Sequence, residues 1–109
     1  MTKDTDPEWD DPSLKEFGEM QKYAYVTNKA RENDHIGYCY REYSDIKIDS
    51  GWRFIFGDED ENYLDNPDNS QTLDLSEIIK WKPQLTDIVS ARYRSEFEWD
   101  PESNSYTPI

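Results

Sequence analysis

Between Asp58 and Asn69 the sequence reads DEDENYLDNPDN, and its carboxylates stand at a spacing that invites cation chemistry. Asp58, Asp60 and Asn62 match positions one, three and five of the calcium-binding loop, where staggered oxygens surround one ion. Two requirements of that loop fail. Tyr63 stands where a glycine makes the sharp turn, and Asn69 stands where a glutamate binds bidentately. The flanks also read as strand rather than helix. These residues predict weak, nonspecific cation attraction, with no metal site and no cofactor.

Other reactive side chains are sparse. His35 is the only histidine and lies in a polar turn beside Asp34, with no second metal ligand near it in sequence. Cys39 is the only cysteine, which excludes an internal disulfide; among tyrosines in an apparent strand it reads as a small packed core residue rather than a nucleophile. Carboxylate pairs could serve an acid-catalysed hydrolase, but in so acidic a chain such pairs arise from composition alone. No catalytic residue is assigned, and the chain reads as a non-enzyme.

The acids make better sense as a surface. Asp58, Glu59, Asp60, Glu61, Asp65 and Asp68 fall within eleven residues that contain no lysine or arginine. Such a run is commonly just a solvated turn. It also suits a basic partner, with Tyr63, and Trp52 if its edge is exposed, as apolar anchors. Arg53 and Arg41 are candidates to support the loop, by pairing either with it or with Asp49.

The elements that must position this surface follow from periodicity. Trp52, Phe54 and Phe56 alternate with Arg53 and Ile55, a strand pattern bracketed by Gly51 and Gly57, where the chain can bend with positive φ. Residues 23–27 and 36–43 read as two further strands joined in a hairpin by a polar turn over 28–34, and 72–75 as a fourth. Ser76 and Glu77 open a helix that Pro83 ends, and Leu85, Ile88 and Val89 suggest another short one. Residues 95–99 alternate as an edge strand. Strands precede helices without βαβ alternation, so the class is α+β: a mainly antiparallel sheet of four to five strands with two or three short helices. The divisions are an acidic tail over 1–13, one domain over 14–100 opening with a short helix capped by Ser13, and a C-terminal tail over 101–109.

Composition sets the remaining bounds. The chain has 109 residues, and its aromatic share of 15% is high beside a hydrophobic content of 34%, so the core is expected to form around rings. The net charge of −13 argues against binding nucleic acid or an anionic membrane, because phosphates would be repelled. No apolar run approaches membrane-spanning length and no signal-like start is present, so a cytoplasmic location is the default.

The run Asp49, Ser50, Gly51, Trp52, Arg53, Phe54, then Gly57, Asp58, Glu59, Asp60, with Asn66, Pro67 and Asn69 behind it, resembles the immunity protein thirty-three domain family. Ala24, Val26 and Asn28, and then Gly37, Tyr40, Arg41 and Glu42, fit the same pattern, so the resemblance covers roughly residues 23–98. Arg92, Tyr93 and Arg94 depart from it. The resemblance implies a bacterial immunity protein that binds and neutralises a cognate toxin made beside it. The charge adds that the toxin face is basic. A regulatory or ligand-binding module is the alternative.

Overall fold

The computed structural model describes residues 22–109; the expected acidic tail and the helix from Ser13 lie outside the described residues. Trp52 and Phe54 are fully buried and stacked with ring centroids 5.7 Å apart. They belong to the longest strand of the sheet, and the other strands are arranged about it.

Six strands form one sheet: β1 (Tyr23–Thr27), β2 (Tyr38–Arg41), β3 (Asp49–Ile55), β4 (Ser70–Asp74), β5 (Glu96–Asp100) and β6 (Ser105–Pro108), in the spatial order β4-β1-β3-β2-β5-β6. Only β1 and β3 run parallel; the other neighbours are antiparallel. Among the described residues there are three short helices, α1 (Asn28–Glu32), α2 (Glu61–Asp65) and α3 (Leu75–Trp81), and 3-10 turns at Pro67–Asn69 and Pro83–Asp87. The class is therefore α+β with a mainly antiparallel sheet, as expected, and the strand count is slightly higher than expected.

The alternation of side chains decides which face is covered. Ala24 and Val26 of β1, Cys39 of β2 and Trp52 and Phe54 of β3 point to one side and are buried with Leu75 and Ile78 of α3 and with Leu85, Ile88 and Val89 beyond it. The Trp52 indole N–H donates to the Val89 carbonyl at 2.9 Å, fastening the segment after α3 to the centre of the sheet. On the opposite side, the register sets Thr72, Tyr25, Arg53, Tyr40 and Glu96 in one row across five strands.

Three local expectations are corrected. β1 and β2 do not form a hairpin, because 28–32 is a helix: the Thr27 hydroxyl accepts the Ala30 N–H at 3.1 Å and starts α1. β3 then enters between the two strands. β5 is not an edge, since residues 105–108 return as β6 beside it, with Asn104 at φ 54 making the turn. The helix expected from Leu85 to Val89 is the 3-10 turn over 83–87, and α3 is capped by Asp74, whose carboxylate accepts the Ser76 N–H at 2.9 Å.

Candidate partner-binding surface

Residues 58–69 lie at the C-terminal end of β3, beside α1. Gly57, at φ 129, redirects the chain as it leaves the strand. Glu59 then folds back. One of its carboxylate oxygens accepts the Thr27 hydroxyl at 2.6 Å and the Phe56 N–H at 2.7 Å, and the other accepts the Gly57 N–H at 2.8 Å. Burial alone would raise the Glu59 pKa, but these donors, Thr27 foremost, outweigh it and hold the carboxyl below the usual range. Thr27 thus caps α1 and anchors the acidic segment with one hydroxyl.

The segment is not an unstructured loop. Asp60 caps α2 by accepting the Tyr63 N–H at 2.9 Å, and Asn66 caps the 3-10 turn by accepting the Asp68 N–H at 3.0 Å. The Tyr63 hydroxyl accepts the Lys29 N–H at 3.1 Å, the Asn28 side chain donates to the Asp68 carbonyl at 2.9 Å, and the Asn69 side chain donates to the Tyr63 carbonyl at 3.0 Å. Lys29 forms an ion pair with Asp58, and that hydrogen bond raises the lysine pKa.

The six acids accordingly divide. Asp58, Glu59 and Asp60 are engaged in holding the segment. Glu61, Asp65 and Asp68 are exposed, and no hydrogen bond or ion pair among the described residues uses their carboxylates. Tyr63 is half-buried between the two groups. The oxygens of the calcium-loop pattern do not converge: Asp58 turns to Lys29 and Asp60 to its own helix. Among the described residues no group of three or more His, Cys, Asp or Glu side chains is placed to hold a metal ion, and no helix is long and apolar enough to cross a membrane.

The residues considered as loop supports sit elsewhere. Of the two pairings open to Arg53, the one with Asp49 is formed, through two bonds of 2.9 Å, with a further bond of 2.8 Å to Glu42; its guanidinium also lies 4.4 Å from the centre of the Tyr25 ring. These contacts draw the guanidinium back toward Asp49 at the start of β3, and none of them reaches the acidic segment. Arg41 is 1% exposed; it donates to the Ser50 and Ala91 carbonyls and packs against the Tyr93 ring at 4.6 Å. Trp52 has no exposed edge. The contacts that do order the acids come from Thr27, expected as the end of a strand, and from Asn28 and Lys29, expected in a plain turn. Their signal was present: a threonine before NKARE is an N-cap before helix formers.

Among the described residues, neither His35 nor Cys39 faces a reactive partner. His35 packs edge-on against Phe56 at 5.6 Å and Trp99 at 6.5 Å. Cys39 is fully buried, and desolvation pushes its thiol up to about 12. A cleft of about 420 Å³ lies at the end of β2, lined by Tyr40, Glu42, Tyr43, Arg94 and Glu96 among others. Two of its acids are already committed, Glu42 to Arg53 and Glu96 to the Tyr38 hydroxyl.

No curated protein and no solved structure matches the chain. A family description does match, over residues 24–109, so that β6 and the segment expected as a tail fall inside it. With Trp52 at the centre of the sheet and the acidic segment built onto its end, the chain belongs to the immunity protein Imm33 domain family.

Proposed function

We propose that this chain is a non-enzymatic immunity protein of the cytoplasm that binds a cognate toxin and blocks it with the acidic segment 58–69. The observation that carries the reading is that Glu61, Asp65 and Asp68 project, unpaired by the described residues, from a segment whose backbone is already tied to α1 and β3. A surface ordered before it meets its partner loses little conformational freedom on binding. Like charges concentrated on it speed the approach of a basic surface and repel acidic ones. Asp58, Glu59 and Asp60 set the shape, the other three acids present the charge, and Tyr63 supplies the aromatic anchor between them. The toxin counterpart is a basic face, such as a cleft that would otherwise hold phosphate.

Neutralisation in cells tests this. The triple variant Glu61→Lys, Asp65→Lys, Asp68→Lys leaves the hydrogen bonds of Asp58, Glu59 and Asp60 in place, so the fold is retained while the surface changes sign. Cells making the cognate toxin are expected to lose protection with this variant and to keep it with the parent chain. Full protection by the variant would exclude the acidic segment as the contact.

A further inference from the structure

The two outer strands of the sheet are protected unequally. β6 carries Pro108 at its end and is fed by a turn that starts at Pro101. β4, with the sequence SQTLD, has no proline, lysine or glycine, and its register with β1 runs unbroken from Tyr23 opposite Asp74 to Thr27 opposite Ser70. Prolines, lysines and bulges are the usual devices that keep an edge strand from pairing again. The direction of the unpaired groups follows from one bond: the Leu75 N–H donates to the Lys22 carbonyl at 2.7 Å. In an antiparallel ladder the groups then alternate, so Leu73 and Gln71 turn to β1 and Thr72 turns both its N–H and its C=O away. The Asp74 N–H and the Ser70 C=O face the same way, while the Ser70 N–H is taken by the Pro67 carbonyl. Among the described residues no strand lies beyond β4.

We infer that β4 is the docking edge for an extended, lysine- or arginine-bearing segment of the toxin, which joins the sheet as an additional strand. The inference rests on the toxin-binding reading above and names how the partner is held. Ser70 follows directly on the acidic segment, so a strand laid along β4 has that segment at one end. Main-chain bonds to Thr72 supply affinity without reading side chains, and the neighbouring carboxylates select a basic segment. A second copy of this chain is the poorer occupant. Edge-to-edge pairing would bring together two molecules that each carry a net charge of −13.

Two measurements on the full chain test the edge. In the unmodified protein the Thr72 amide exchanges quickly when alone and is slowed about a hundredfold or more in the toxin complex. Thr72→Pro removes the outward N–H and leaves the bonds to β1 intact; it keeps the parent circular dichroism spectrum and weakens toxin binding about thirtyfold or more. A Thr72 amide already protected in the protein alone, or one not slowed in the complex, overturns the inference, and it decides the matter if the proline variant misfolds. Unchanged affinity of a folded Thr72→Pro chain also overturns it, as would a dimer in light scattering that this variant dissolves. If the parent chain binds no toxin, the functional reading fails and the edge inference with it; if the parent binds and only the edge tests fail, the acidic surface stands alone.

Discussion

Replacing Glu59 by glutamine probes whether the acidic segment is held as described. Glutamine keeps the length but not the charge. Its single amide oxygen can serve the Thr27 hydroxyl and the Phe56 N–H, which the parent carboxylate accepts at 2.6 and 2.7 Å, but its NH2 group must then face the Gly57 N–H. Hydrogen bonds to an ionised acceptor contribute about 1.5–3 kcal/mol and neutral ones about 1 kcal/mol. Gly57 is exposed and can turn to water, which limits the penalty. The net cost is about 2 kcal/mol, a drop of about 8 °C in melting temperature for a chain of this size. Thermal unfolding followed by circular dichroism at neutral pH reads it, and amide exchange over 58–65 should quicken in the variant. The pH dependence supplies the sign. The carboxyl is held below its ordinary 4.5, so its stabilisation is complete above that value and is lost as the pH falls through the lower, folded-state pKa. The gap between parent and variant should close in acid. Equal melting at neutral pH, or a gap that persists in strong acid, would refute the reasoning.

Other expectations follow from the buried side chains. Trp52→Phe removes the bond to the Val89 carbonyl and opens a void in the core cluster it shares with Leu85 and Val89, costing about 2–4 kcal/mol in urea unfolding. Arg41→Met leaves the Ser50 and Ala91 carbonyls without their donor and costs about 3 kcal/mol in the same assay, although this residue lies far from the acidic segment. Cys39, fully buried with its thiol pushed up to about 12, should react with a disulfide reagent only at the rate of unfolding; rapid labelling of the folded chain would contradict its placement.

What was legible in the sequence was what one element decides by itself. The alternation of Trp52 and Phe54 marked β3, and both flanking glycines do adopt positive φ, but the strand begins before Gly51, at Asp49, and ends before Phe56. α3 was legible from its apolar spacing and its proline stop, although its cap is Asp74 and not Ser76. Strand partners were not legible. The parallel pairing of β1 with β3 depends on α1, whose five residues carry one buried side chain, Ala30, and so give almost no periodic signal. β6 was missed because Tyr106 is its only buried residue.

At the surface, composition located the acids but could not divide them. Whether a carboxylate is exposed or engaged depends on where Thr27 and Lys29 arrive, and they come from a strand and helix some thirty residues earlier in the chain. Which of its two open pairings Arg53 makes was not legible for the same reason. Arg53 found Asp49 four residues before it, a shorter reach than the loop beyond Gly57. Arg41 fills the sheet end as a buried donor to carbonyls, a role with no sequence mark.

The central claim is that Glu61, Asp65 and Asp68 meet a basic toxin face. The most direct measurement is the affinity of the purified parent chain and of the triple lysine variant for the cognate toxin domain across a range of salt. The account predicts that parent binding weakens steeply as salt rises and that the variant binds at least about a hundredfold more weakly at low salt. Tight parent binding indifferent to salt, matched by the variant, would contradict it.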